Sequence, residues 1–305
     1  FLWIIADGLV PKKKQLLTRI GWSFKPVCLT IKFALSIAVT SSLWVFVTQT
    51  DKLILSGILT MAEYGYFTLA VLLASSIMIV SGPISNALLP RMAMLHARKQ
   101  SKDLLSIYRK ATRFVCLLAG TLSLMLFFFS NEILYIWTGD LALVAKVSPI
   151  LSLYAAGNGF LVISAFPYYL QYANGNLRYH LAGSILLVSV LIPSLIVATK
   201  MYGSTGAGYT WLFVNILYFL IWVAIVHMKL SPGLHFKWLS YDVIASFIIP
   251  FSVIYVSRFF IKQGDNRLEL LFFIGIVGLI SLIAGFFTIN FLQKILQKRG
   301  VSVEY

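Results

Sequence analysis

Eight long stretches of the sequence carry few or no charged residues, and this pattern limits the possible folds more than any other feature. A helix needs about 20 mostly apolar residues to cross the roughly 30 Å hydrocarbon core of a bilayer. Backbone polar groups cannot stay unpaired in lipid, and the stretches are too long and too uniformly apolar for the alternating strands of a membrane barrel. The sequence therefore predicts an all-α, polytopic membrane helix bundle with about eight transmembrane helices, at 28–50, 64–89, 112–131, 147–172, 179–199, 205–228, 242–261 and 268–292.

Composition supports this class. The chain of 305 residues is 59% hydrophobic and 11% charged, whereas a soluble domain is about 45–50% apolar and about 25% charged. A soluble globule is thereby excluded. The two cysteines, Cys28 and Cys116, lie far apart, form no CxxC pair and have no neighbouring histidine. We expect them to be small core residues, and we expect neither a metal site nor a cofactor.

The distribution of basic residues predicts the orientation. The chain has 25 Lys and Arg against 10 Asp and Glu, and most of the basic residues fall in alternate loops. Loops rich in Lys and Arg remain in the cytoplasm, so the C-terminus is predicted to be cytoplasmic. The excess of positive charge then faces an anionic leaflet rather than a nucleic acid. The basic segment 91–110 also has an apolar face, so we expect it to lie as a helix in the membrane interface, with an ordinary solvated loop as the alternative.

A few charged residues lie within or at the ends of the spans, where they are expensive unless they face protein or water. Lys32 either snorkels to the headgroups or faces a cavity. Asp51 and Lys52 are neighbours in sequence and do not face each other on a helix, so Asp51 is free to hold a cation from another helix. Arg113 and Arg178 either anchor cytoplasmic helix ends or bind an anionic head group. These five residues are the candidate substrate-cavity residues.

Catalytic chemistry is not indicated. The spans contain no paired carboxylates and no nucleophile beside a base, so an enzyme is not expected. The four histidines fall at span ends or in loops and are expected at the interface, and Asp242 is expected at the edge of the seventh span.

Glycine and proline residues interrupt four of the apolar stretches. Transporters line their central sites with interrupted helices, although Pro and Gly also produce ordinary kinks in membrane helices. Both interpretations stay open for the candidate breaks, which are Gly82, Pro83, Gly157, Gly159, Pro167, Pro193 and Pro250.

Several motifs occur in an order that is typical of one transporter family. The string TDKLILSGILTMAEYGYFTLA at 50–70 has an Asp-Lys pair that ends one helix and a Gly-Tyr pair, Gly65 and Tyr66, that begins the next. The motifs LLPRM, ILYIWTG, YANGNLRY and YGSTGAGY follow in order. Over 24–229 the sequence resembles the C-terminal part of polysaccharide transport proteins, the O-antigen flippases of the Wzx type, in the multidrug, oligosaccharidyl-lipid and polysaccharide exporter superfamily.

The resemblance implies a multi-pass protein of the bacterial cytoplasmic (inner) membrane with two helical lobes, of which this chain holds the C-terminal lobe. The implied divisions are the end of a preceding helix and a cytoplasmic loop at 1–27, the six-helix lobe at 28–228, and two additional helices with a cytoplasmic tail at 229–305. The implied substrate is an undecaprenyl-diphosphate-linked oligosaccharide, such as an O-antigen repeat for lipopolysaccharide, moved from the inner to the outer leaflet. Its partners would be membrane lipids and other polysaccharide assembly proteins. The family's cavity is lined by cations, which makes Lys32, Arg113 and Arg178 candidates here.

The chain contains the kinds of residue that this substrate requires, and three alternative functions stay open. A diphosphate requires cations, and a lipid tail requires an apolar groove, which the last two helices could form with Phe272, Phe273, Phe286 and Phe287. One alternative is a cation-coupled multidrug antiporter of the same superfamily, which would require buried acidic residues. Another is a membrane-embedded glycan polymerase, which would require a large external loop. A scaffolding membrane protein is the third.

Overall fold

The computed structural model describes residues 25–261 and 266–298, and in these ranges the chain forms helices joined by short turns, without a strand. The predicted all-α class is therefore confirmed. The predicted end of a preceding helix, within 1–24, lies outside the described residues. The helices are α1 (Lys25–Ser56), α2 (Met61–Ala97), α3 (Ser101–Phe128), the short α4 (Ser130–Thr138), α5 (Leu141–Ala173), α6 (178–202), α7 (204–230), α8 (Leu234–Phe260) and α9 (Arg267–Lys298).

The segment Arg178–Leu230 contains two membrane-spanning helices rather than one. Its 53 residues would form a helix about 80 Å long at about 1.5 Å per residue, far more than one bilayer crossing needs. Gly203 breaks it, with φ 61° and ψ −147°, and so separates α6 from α7. The two helices then approach closely, since a Cβ at Gly206 would overlap the carbonyl of Ala198. With this break, each of the eight predicted spans corresponds to one long helix.

The centre of the bundle is formed by α2, α3 and α5, which pack against one another, while α7 covers α5 and α1 lies against the α6–α7 hairpin. The last two helices, α8 and α9, pack together and both contact α3. A small apolar cluster joins α8 and α9 to α3. It consists of Met125 of α3, Phe129 just after it, Ile254 of α8, and Ile274 and Val277 of α9. The proposed division between the six-helix lobe and the last two helices falls between α7 and α8.

The expected interfacial helix at 91–110 is wrong. α2 continues to Ala97 and α3 begins at Ser101, so only a tight turn separates two long helices. The apolar face of the segment, which includes Met92, Leu95 and Tyr108, is buried within the bundle instead of facing lipid headgroups.

Most of the candidate helix breaks lie inside continuous helix. α2 passes through Gly82 and Pro83, α6 through Pro193 and α8 through Pro250. α5 also continues through Gly157 and Gly159, where the absence of a side chain lets α7 and α3 approach. Two helical segments of α5 meet at Ala165, two residues before Pro167, where the backbone dihedral angles stay right-handed helical. In addition, α7 and α8 each contain a π-helical turn, at Tyr218–Trp222 and Trp238–Ile244, a rare geometry that often marks functional sites.

Candidate functional site

A cavity of about 500 Å³ lies between α1, α2, α5 and α6, and Tyr218 of α7 also lines it. Its volume falls in the range of about 300–1,000 Å³ that is usual for small-molecule sites. Its walls carry many hydroxyl groups, and none of the described residues that line it is an Asp, Glu, Lys or Arg. The hydroxyl-bearing residues are Thr40, Ser41, Ser81, Ser85, Ser164, Ser184, Tyr168, Tyr169 and Tyr218. We call this space the hydroxyl cavity.

Three serines of the hydroxyl cavity, Ser81, Ser85 and Ser164, are held by their own helices. The Ser81 hydroxyl donates to the carbonyl of Met78 at 2.9 Å, and the Ser164 hydroxyl donates to that of Phe160 at 2.8 Å. The Ser85 hydroxyl lies 3.1 Å from the Ser81 carbonyl and is also hydrogen-bonded to the Tyr169 hydroxyl, which links α2 to α5. The oxygen of each of these three serines can accept hydrogen bonds after its own proton is donated, so this part of the wall presents acceptors.

The end of the cavity near the α5–α6 turn is fixed by two contacts. The backbone N–H of His180 donates to Gln171 Oε1 at 2.6 Å. The His180 ring lies 4.5 Å, between ring centroids, from that of Tyr168. Arg178, a predicted cavity residue, is the first residue of α6 and is exposed just outside this end.

A second cavity, of about 560 Å³, lies between α3, α5, α7 and α8 and is lined almost entirely by apolar residues. All four helices contribute to its aromatic lining, which consists of Phe127, Phe128, Phe160, Phe219, Phe247 and Phe251. We call it the apolar groove. The phenylalanines that the sequence suggested for such a groove lie elsewhere, since Phe272, Phe286 and Phe287 are exposed on α9 and Phe273 packs in the cluster that joins α9 to α3.

A polar network connects four helices beside the hydroxyl cavity. The Tyr154 hydroxyl donates to Asp51 Oδ2 at 3.1 Å, and the Tyr154 ring stacks on Trp211. Trp211 Nε1 donates to Asn158 Oδ1 at 2.9 Å, and Asn158 Nδ2 donates to the carbonyl of Ala74 at 2.9 Å. Asp51 is thus buried against a tyrosine hydroxyl, and the network joins α1, α5, α7 and α2.

Lys52, the other half of the pair, points away from this network. Its Nζ donates to Gln49 Oε1 on the same helix at 3.0 Å. The side chain of Lys32 lies outside the described part of the structure, although its backbone belongs to α1. Of the five candidate cavity residues, the four with described side chains are therefore placed outside the walls of the hydroxyl cavity.

Arg113 belongs to a buried ion cluster that joins α3 to α8. Arg109 Nε lies 2.6 Å from Asp242 Oδ2, and Arg113 Nε lies 3.3 Å from Asp242 Oδ1. Asp242 sits in the π-helical turn of α8 and is fully buried, which corrects its expected position at the edge of a span. A neighbouring hydrogen bond, from Trp238 Nε1 to Thr112 Oγ1 at 3.0 Å, strengthens the same junction.

His227 lies near the end of α7, at a span end as expected, but its side chain is fully buried in the bundle. Its Nε2 lies 2.6 Å from the Tyr108 hydroxyl, and its Nδ1 lies 3.2 Å from Nδ1 of His235. The sequence carried a weak signal for a polar face on α3, because Tyr108 and Thr112 lie four residues apart on one face of this helix. The spacing of Arg109 and Arg113 was a similar signal for the ion cluster, and sequence reasoning overlooked Arg109.

Comparison with known proteins adds a family and a fold. The family described as "Polysaccharide biosynthesis protein" matches residues 12–145. The solved structure of the lipid II flippase MurJ, in an inward closed conformation, matches with a TM-score of 0.65 and 16% sequence identity. The match covers 96% of this chain and 59% of that chain, so this chain spans little more than half of MurJ. No curated protein matches the sequence.

At 16% identity, the likeness to MurJ shows the fold and nothing finer. The family match is independent of it and includes the Asp-Lys and Gly-Tyr pairs that carried the sequence resemblance. The resemblance to polysaccharide transport proteins is therefore confirmed at the level of the family, on a multi-pass membrane fold like that of MurJ.

Proposed function

We propose that the protein is a transporter that moves a lipid-linked oligosaccharide of surface polysaccharide biosynthesis from the inner to the outer leaflet. The observation that carries the proposal is the hydroxyl cavity, which lies inside a bundle of membrane-spanning helices with a flippase fold. A glycan needs a polar site of this kind to cross the hydrocarbon layer, because unpaired polar groups are costly there. An undecaprenyl-diphosphate carrier in the cytoplasmic membrane, and an O-antigen repeat as the glycan, are the finer parts of this proposal.

The buried charges favour this function over a cation-coupled multidrug antiporter. Such an antiporter would hold its cation with a buried carboxylate. Asp242 is neutralised by Arg109 and Arg113, and Asp51 accepts a hydrogen bond from Tyr154. Both of these buried carboxylates are thus already engaged by the protein.

The diphosphate would meet cations at the end of the cavity that we predict to be cytoplasmic. Arg178 is exposed there, two residues before His180, which lines the cavity. Lys32 precedes Thr40 on α1 by about two turns and is the second candidate. We assign Arg113 a structural role instead, because it already contacts Asp242.

The lipid tail would lie in the apolar groove, to which α8 contributes and α9 does not, instead of in a groove formed by the last two helices. Phe247 and Phe251 of α8 line it, so replacing both by serine should reduce transport. The matched control replaces Phe272 and Phe287, which are exposed on α9, by serine. Equal effects of the two double variants would contradict the assignment of the tail to this groove.

Complementation tests the function itself. The full-length parent gene is expressed in cells that lack their flippase, and exposure of the lipid-linked repeat to an impermeant label at the outer face is measured. We expect restored exposure, and a strong reduction with Arg178→Gln but not with Arg98→Gln, which alters an exposed arginine in the α2–α3 turn. A repeat that stays inside, despite verified insertion and a matching glycan, would refute the proposal.

A further inference from the structure

We propose that the hydroxyl cavity binds the uncharged sugar rings of the transported molecule and not its diphosphate. The inference rests on the proposed function and narrows it, because it separates the substrate into two parts held at different places. It also departs from the expectation of a cation-lined cavity.

The first observation is that the described lining of the hydroxyl cavity lacks the cations that a diphosphate requires. A diphosphate that leaves water requires compensating cations, since burying an unpaired charge costs several kcal/mol or more. The described residues that line the cavity include no Lys or Arg. His180 is the lining side chain with an ionisable ring nitrogen, and that ring packs on Tyr168. A sugar ring carries no charge and needs no such compensation.

The hydrogen-bonding groups carry the second step. Ser81 and Ser164 donate their protons to their own helices, so their oxygens are left as acceptors for a ligand. Sugar hydroxyls supply the matching donors and can in turn accept from tyrosine hydroxyls such as that of Tyr168. A row of neutral acceptors and donors at fixed positions therefore fits a polyhydroxylated ligand better than an anion.

The aromatic lining carries the third step. Trp44, Tyr168, Tyr169 and Tyr218 all border the cavity. The C–H groups on one face of a pyranose are weakly positive and pack against the negative face of an aromatic ring. Mostly apolar walls with a few placed polar groups are also the usual composition of a small-molecule site. The cavity thus offers hydrogen-bonding groups to the hydroxyls of a sugar and aromatic rings to its C–H face.

The position of the cavity agrees with this division of the substrate. The second half of α5, which leads to Ala173, and the first turns of α6, which begins at Arg178, both line the cavity. A carrier held by its diphosphate near Arg178 would direct its glycan into the neighbouring hydroxyl cavity.

The test measures binding rather than transport. The full-length protein in lipid nanodiscs is titrated with the oligosaccharide released without phosphate from the lipid-linked repeat, and separately with inorganic pyrophosphate. We expect saturable binding of the oligosaccharide. Ser81→Ala and Tyr168→Phe, which remove one hydroxyl each, should weaken it by roughly 3- to 10-fold apiece, the factor expected for one lost hydrogen bond.

Matched controls lie on the same bundle outside the cavity. Ser75→Ala changes a serine of α2 that donates to its own helix, and Tyr209→Phe changes an exposed tyrosine of α7. Both should bind the oligosaccharide like the wild type. The proposal is overturned if the wild type does not bind the oligosaccharide, if pyrophosphate competes with it, or if the cavity variants match the controls.

The outer-face labelling assay separates this proposal from the proposed function. Oligosaccharide binding that depends on Ser81 and Tyr168, in a protein that moves no lipid-linked repeat, would support the sugar site and refute the flippase. Transport by a protein whose cavity variants bind and transport normally would refute only the sugar site.

Discussion

Removing the charge of Asp242 should destabilise the protein strongly. The carboxylate is fully buried and contacts Arg109 through Nε at 2.6 Å and Nη2 at 3.3 Å, and Arg113 through Nε at 3.3 Å. Breaking a buried ion pair from one side costs about 3–5 kcal/mol, because the remaining charges stay in the interior. Asn keeps the shape and one acceptor, so for Asp242→Asn we expect a loss of about 3 kcal/mol in the free energy of unfolding.

The assay is reversible unfolding in mixed micelles with increasing SDS, followed by tryptophan fluorescence and extrapolated to zero denaturant. Asp103→Asn is the matched control, because Asp103 is exposed in the first turn of α3 and its charge should contribute less than about 1 kcal/mol there. Replacing all three residues, with Arg109→Met, Arg113→Met and Asp242→Leu, should recover most of the stability. A loss below about 1 kcal/mol for Asp242→Asn, or a triple variant less stable than that single variant, would refute the reasoning.

Three further substitutions test the packing, each measured by the same unfolding titration. Gly203→Ala should lower the free energy of unfolding by about 1–3 kcal/mol, because the φ and ψ angles of Gly203 lie close to a region that almost only glycine adopts. The control Gly65→Ala, at an exposed helical position with open space, should be neutral or stabilising. Asn158→Leu should cost about 1–3 kcal/mol because it leaves the buried Trp211 Nε1 without its acceptor, and a variant as stable as the wild type would contradict the network. Gly157→Ala should cost about 1–3 kcal/mol because the added methyl overlaps the Trp211 ring, and an unchanged midpoint would show that the ring moves aside.

The eight spans could be predicted because the bilayer imposes a length and forbids unpaired backbone groups. Both constraints act on each segment alone, so uncharged stretches of sufficient length identify helices without knowledge of their neighbours. The split at Gly203 was predictable for the same reason, since Lys200 and a glycine-rich string interrupt the apolar run. The segment 91–110 was misread because an apolar face looks the same whether it packs on lipid headgroups or on protein.

The candidate site was predicted less well. Sequence reasoning singled out charges in spans, but the sequence does not show which charges meet. Arg113 lies 129 positions before Asp242, and the contact between them depends on how α3 packs against α8. The hydroxyl cavity was missed for a related reason. Its serines and tyrosines are scattered along the sequence, and they form one wall only because α1, α2, α5 and α6 meet there.

The sequence by itself thus determined the all-α class, the positions of the long apolar helices and the resemblance to polysaccharide biosynthesis proteins, all of which follow from local composition and short motifs. Tertiary structure alone decided that Asp242 contacts two arginines, that Asp51 faces Tyr154, and that the described lining of the cavity carries neutral hydroxyls rather than cations. The physical reason is that burial and pairing of polar groups depend on distances between helices, and residues far apart in sequence set those distances.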